Sequence, residues 1–364
     1  MAENRRLIYF NSQAIIVSVI VCVIVCLFAA GCGSADSEGQ LRPEDALQAS
    51  VLTEAAGDLS EEALSGAAAA VSVCLNSYST LSVPTDLQQF GSLWFLVDCY
   101  HNQVIYSDSL ETPLYEWKVM ADGLTYPHTI SSDGTVYLIT DTDTSRVLIY
   151  QEADGVFVHT QTFEDIGVRP HYSVYREEDD TFYVWSSESG EMYLFRRDDE
   201  DSRMYLTEIR TVESLVNNYI RAFTIEGDSI YFVSGLTTDG TAETPSILRC
   251  RLDDFTVEAE YTVPDEIAGM ACLRLIEGSW YITVSTDLSG SQDAATILRT
   301  DDLNSLKDGE WEDLYERYFA GGGTPYAITN VGDDWYLTEH RLYDHALWRF
   351  RVEDGEIAGV EAIY

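Results

Sequence analysis

Between residues 81 and 364 the apolar residues come in short bursts, each bounded by Gly, Asp, Asn or Ser. Six bursts share one form, a Gly/Asp turn followed by a strand-like run centred on an aromatic residue. The aromatics are Phe95, Tyr137, Tyr183, Tyr231, Tyr281 and Tyr336, recurring every 42 to 55 residues. A second apolar run follows each one, at 103–106, 146–150, 192–195, 247–250, 297–300 and 347–350. A third run precedes each turn and a fourth closes each unit. Four short strands per unit with tight turns between them predict a sheet that cannot bury both faces alone. Six such sheets stacked around an axis cover one another and leave only short edges, which a sandwich or an open solenoid does not achieve as well. The expected fold is therefore all-β, a six-bladed β-propeller of four-stranded antiparallel blades. The last run, 356–364, is expected as the outer strand of the sixth blade, and 71–75 as an addition to an edge.

The N-terminal pattern is different. Arg5 and Arg6 precede an unbroken weakly polar to apolar stretch from residue 14 to 31, ending Ala29-Ala30-Gly31 before Cys32. A charged start, an apolar middle and a small-residue end describe an export signal, and the stretch is near the lower limit for spanning a bilayer. The residues Ala29-Ala30-Gly31-Cys32 resemble the lipobox of bacterial lipoproteins. That resemblance implies cleavage before Cys32, lipidation of its sulfur, and a domain held outside the cytoplasm at the cell envelope. Two or three acyl chains suffice for stable anchoring. Residues 33–80 are rich in Ser, Gly, Ala, Glu and Asp and nearly free of aromatics, and predict an acidic stem. Within it, Ser60 followed by Glu61 and Glu62 is a helix-start signal. The expected organisation is signal peptide 1–31, stem 32–80 and propeller 81–364.

Charge narrows the partners. The chain has 62 Asp+Glu against 21 Lys+Arg, a net charge of −41. No basic surface is available to release counterions from nucleic acid, and polyanions are repelled. Membrane contact is expected through the lipid, and ligands among neutral glycans, peptides and small molecules, with protein partners on the wide propeller face as a further option.

Propeller geometry then singles out residues. The innermost strand of each blade starts on the face where sites usually sit. Pro84-Thr85, Pro127-His128, Pro170-His171 and Pro325-Tyr326 mark that start in four units, and Arg221 and Cys272 fall there by counting. A packed strand would ordinarily carry Val, Ile or Ala at such a position. Strand ends three residues past the aromatics add Asp98, Thr140, Ser186, Ser234, Val284 and Glu339, with His101 and His340 just beyond. The expected ligand-binding set is Thr85, Asp98, His101, His128, His171, Arg221, Tyr326, Glu339 and His340. Two chemistries fit these residue types. One is a polar binding funnel at the channel mouth. The other is a lyase or hydrolase with zinc on His128, His171 and one of His101 or His340, Arg221 neutralising a carboxylate or oxyanion and Tyr326 moving a proton. In fold and residue type this arrangement resembles the peptide-amidating lyases, six-bladed propellers with zinc held by axial histidines. The NHL and gluconolactonase-like propellers are similar in architecture, and the latter imply Ca²⁺ on acidic residues, here Asp98, Asp141 and Glu339. Cys74, Cys99, Cys250 and Cys272 allow disulfides in an exported chain, with Cys74–Cys99 and Cys250–Cys272 as pairings and free buried thiols as the alternative. Gly321-Gly322-Gly323 lacks the Lys and helix of a phosphate cradle and reads as a loop.

Overall fold

A computed structural model describes residues 60–199, 202–234 and 244–364. The expected signal peptide, Cys32 and the stem up to residue 59 lie outside the described residues. Six four-stranded antiparallel sheets, each built of strands consecutive in sequence, form the six blades of a propeller. The first strands of the blades are β1 (Pro84–Phe90), β5 (Pro127–Ser132), β9 (Pro170–Arg176), β13 (Phe223–Glu226), β17 (Met270–Ile276) and β21 (Thr324–Val331). β1 meets β5 and β21, β9 meets β5, and β17 meets β13 and β21, which places these strands innermost.

Side chains alternate across each strand, so every blade serves two neighbours. Six apolar clusters result, one per blade junction. In blade two, Val136 and Leu138 pack toward blade three while Tyr137 and Ile139 pack toward blade one. This corrects the repeat register expected from sequence. The residue of blade two equivalent to Phe95 is Leu138, and the strand end equivalent to Asp98 is Asp141 rather than Thr140. An aromatic one position away caught the pattern, and a one-residue slip moves a side chain to the opposite face.

Among the described residues no strand is exchanged to close the ring. The last strand, β24 (Glu356–Ala362), pairs within blade six. Closure comes from the sixth apolar cluster, where Leu87, Leu96 and Trp117 of blade one meet Tyr336 and Leu347 of blade six. Trp117 Nε1 donates to the Tyr364 hydroxyl at 3.1 Å, and that hydroxyl reaches the carbonyls of Leu110 (2.7 Å) and Thr112 (2.6 Å).

Part of the stem is packed. Ser60 caps helix α1 (Glu61–Ala68) by accepting from Ala63 N at 3.3 Å, with Glu61 and Glu62 in the first turn. The helix lies beside β7 (Arg146–Ala153) and β8 (Val156–Phe163). Leu75 then bridges Lys118 on the outer strand of blade one, and the buried Asn76 amide holds the Leu114 carbonyl at 3.0 Å. Among the described residues no helix is long and apolar enough to cross a membrane. Cys74, Cys99, Cys250 and Cys272 are all free, so neither expected disulfide forms, and the last three are buried small apolar residues.

The channel interior is polar and filled. Arg274 on β17 reaches across the axis. Its Nε donates to Ile328 O of blade six at 2.9 Å, and Nη1 donates to Thr224 Oγ1 of blade four at 2.9 Å. Nη2 donates to the Tyr172 hydroxyl of blade three. Asp86 of blade one stands within its field, accepting from Ile130 N of blade two at 3.1 Å and from Gln88 at 2.9 Å. Burial raises the Asp86 carboxyl to about 6 against the pull of these donors. One guanidinium thus bonds to three other blades and acts on Asp86 of blade one through its charge. Arg274→Ala is expected to lower stability by about 3–5 kcal/mol, because it strands a buried carboxyl and three acceptors. Adding Asp86→Asn should recover part of that loss, and denaturant unfolding of the two variants checks both.

Candidate functional site

The start of each inner strand pairs with the end of the second strand, as Pro84 does with Asp98 and Pro127 with Asp141. Inner-strand starts and the loops after second strands therefore share one face, the mouth. Thr85, His128, His171, Arg221, Cys272 and Tyr326 all line a single space on the axis there, one from each blade. This is the ring expected from the sequence. His340 joins it by stacking on Tyr326, with centroids 4.5 Å apart.

The other expected residues are elsewhere. Asp98 is fully buried, accepts from Ser82 N at 2.7 Å and pairs with His101 Nδ1 at 2.6 Å. The His101 ring stacks on Tyr78 at 3.5 Å. This pair fastens residues 78–83 to blade one and does not line the axial space. Asp141 does the same work in blade two, holding Thr125 N at 2.6 Å and pairing with Arg146. Glu339 is buried beneath the triple-glycine loop, where a Cβ on Gly323 would sit 2.0 Å from its Oε1. Its Oε2 accepts from Trp348 Nε1 at 2.7 Å. Asp98 and Asp141 cap loops because each strand end leaves backbone N–H groups that need an acceptor. The triple-glycine loop itself is clamped from outside, Arg341 Nη2 donating to Gly322 O (2.8 Å) and Gly323 O (2.9 Å).

The three axial histidines are anchored through backbone carbonyls. His128 Nδ1 donates to Tyr126 O at 2.8 Å, His171 Nδ1 to Arg221 O at 2.8 Å, and His340 Nε2 to Pro84 O at 3.0 Å. A carbonyl only accepts, so the proton sits on those nitrogens and the opposite nitrogen carries the lone pair. Burial lowers His128 and His340 to about 3 and His171 well below its ordinary value, helped by the charges of Arg169 and Arg221 on the first and last of these. All three are neutral at neutral pH. His171 Nε2 faces two hydroxyls, Tyr219 at 3.3 Å and Tyr326 at 3.4 Å. Tyr326 remains protonated because burial raises it well above the ordinary tyrosine value.

His128 and His171 meet face on, with centroids 3.8 Å apart and planes 34° from parallel. Among the described residues no group of three or more His, Cys, Asp or Glu side chains gathers as a metal site requires. Neither His101 nor His340, the expected third ligands, is gathered with His128 and His171 into such a group. The donor set does not fit zinc, and the acidic residues weighed for Ca²⁺ lie at three separate strand ends.

Sequence reasoning missed Tyr219. It follows the turn at 213–218 and sits between two guanidiniums, Arg221 at 5.1 Å and Arg169 at 5.6 Å from its ring centroid. An aromatic two residues before an arginine at an inner-strand start was the available signal. Around the ring stand exposed side chains of the same face, Tyr100, Tyr126, Val168 and Tyr343. Tyr100 and Tyr126 touch edge to face at 5.3 Å. Between the axial side chains themselves only about 10 Å³ admits the centre of a water molecule, about one water's worth.

The buried carboxyl of Glu339 supplies a pH test. Burial raises it from 4.5 to about 7. A raised acid contributes stability that is complete below its unfolded value and lost as pH rises through its folded value. Glu339→Gln should therefore gain on the wild type between pH 4.5 and 7, by up to about 3 kcal/mol. Unfolding free energies at pH 4.5, 6 and 8 check the sign.

No protein-family model matches the chain, and no curated protein does. Solved structures do. A putative 6-phosphogluconolactonase from Bacteroides uniformis is similar over 78% of this chain and 85% of its own, at 12% identity and a TM-score of 0.52. Hydrazine synthase of Kuenenia stuttgartiensis matches over 76% and 79%, at 12% identity and 0.51. A catalytically inactive His-to-Ala virginiamycin B lyase from Staphylococcus aureus, with quinupristin, matches over 80% and 88%, at 14% identity and 0.50. At such identities the likeness shows that this chain has a β-propeller fold and carries no activity across.

Proposed function

We propose that this chain is an exported, lipid-anchored β-propeller that recognises a peptide at the mouth of its central channel. The supporting observation is the layering of that face. A floor of side chains from all six blades, polar from every blade but the fifth, leaves space for about one water, and exposed tyrosines stand around it. Such a floor is too tightly filled to swallow a substrate, so a ligand would lie across it. Tyr100, Tyr126 and Tyr343 offer large rigid contacts at low entropy cost, each with a hydroxyl for backbone amides. The lipid anchor rests on Ala29-Ala30-Gly31-Cys32.

Short synthetic peptides of random sequence and an array of neutral glycans, offered to the purified chain, test the ligand class. Retention of a peptide subset is expected, weakened about tenfold by Tyr100→Ala or Tyr126→Ala. Retention of glycans alone, or of peptides unaffected by either change, would overturn the reading. For the anchor, Cys32→Ser is expected to move the protein from the membrane fraction to the soluble one, with loss of metabolically incorporated palmitate.

A further inference from the structure

We infer that the mouth holds its ligand by a single carboxylate, the C-terminus of a peptide, on the guanidinium of Arg221; this rests on the peptide-recognition reading above. The argument starts from charge pairing. With 62 acidic residues against 21 basic ones, most arginines of this chain meet a carboxylate. Arg146, Arg176, Arg197, Arg299 and Arg349 each do so within 4.0 Å. Arg169, beside the site, is neutralised by Asp143 at 3.1 Å and Glu188 at 3.7 Å. Among the described residues Arg221 has no such partner; Arg196, Arg274 and Arg341 lack one too, but each donates to protein oxygens at 3.0 Å or less. Its Nη1 makes two long contacts, to Gly269 O and Met270 O, both at 3.4 Å. Its Nε and Nη2 donate to nothing within the described protein.

The surroundings fix what those donors can take. The guanidinium lies over the Tyr219 ring at 5.1 Å, a stacking that orients its plane and leaves its edge as the binding fork. It lines the same space as Tyr326, whose phenol stays protonated and can donate. The neighbouring imidazoles are neutral, so one positive charge is on offer and not several. Around it the chain's field is strongly negative. A phosphate or a polyanion would bring more charge than one arginine offsets. A lone carboxylate on an otherwise neutral ligand matches a bidentate fork in geometry and in charge. The half-buried setting strengthens the pair relative to one in open water. The tyrosine rim beside it is then placed to contact the residues that precede the terminus.

The test uses one random short-peptide library in two forms, free C-terminal acid and C-terminal amide, against the full chain and its Arg221→Gln and Arg221→Lys variants. The wild type is expected to hold the acid form at least about tenfold more tightly than the amide. Arg221→Gln should remove that difference while leaving the weak amide binding. Arg221→Lys should keep part of it, since it retains the charge without the fork. Arg196→Gln, remote from the mouth, should change nothing, and thermal unfolding of each variant reports on folding. Equal retention of acid and amide by the wild type would overturn the carboxylate inference and leave the binding face standing. Retention of neither form would overturn both. Free galacturonic acid is the competitor that separates sources. If it displaces nothing, a peptide terminus is supported, and if it binds Arg221 where peptide acids do not, the peptide assignment falls.

Discussion

The propeller depends on how a polar axis is satisfied. Six blades that bury apolar faces against one another must bring six inner strands together, and the side chains there have no apolar partner to fill the centre. Arg274 resolves this with one long side chain that spends its donors on three other blades. A guanidinium suits the task because its donors point in fixed directions within one plane. Asp86 supplies the countercharge from blade one and secures Ile130 of blade two. Hydroxyls of Thr129, Ser131 and Ser173 complete the lining between blades two and three, at about 3 Å separations. The ring is thereby held from inside as well as at its six apolar junctions, which matters in a propeller whose described residues exchange no strand at its seam.

That rigid axis determines what the mouth can be. Directly above it, three imidazoles are pinned by backbone carbonyls and kept neutral by burial, so they form a floor whose charge does not vary near neutral pH. The carboxylates at these strand ends are buried away from the axial space. Asp98 and Asp141 cap the segments that lead into the inner strands, and Glu339 is sealed under glycine. What remains open to a ligand is a small set, Arg221 with Tyr219 and Tyr326 behind a rim of exposed tyrosines. The proposed recognition draws on the groups the scaffold has left over after satisfying itself.

The order of strands and the number of blades could be read directly from the chain. Turn residues and apolar runs are local signals, and they recur in the right order whatever the tertiary structure does. The axial ring was legible for the same reason: proline before Thr85, His128, His171 and Tyr326 marks the inner-strand start independently of contacts. The slip in blade two shows the limit, since Tyr137 and Leu138 are both apolar and only packing against a neighbour says which faces forward.

What the sequence alone determined, then, is architecture: six strand-rich units, their inner ends, and the acidity of the chain. Tertiary structure alone decided the division of labour among polar residues. Asp98 and Glu339 look like ligands in one dimension, as Arg221 does. Their roles separate only when one sees that backbone N–H groups and an indole claim the first two, while no carboxylate reaches the third. Arg274 gave no local sign of importance, because crossing a channel is a relation among blades tens of residues apart, and the weak sign at Tyr219 said nothing of its contact with Arg169. Local chemistry sets the elements, and long-range pairing sets which charges remain unspent.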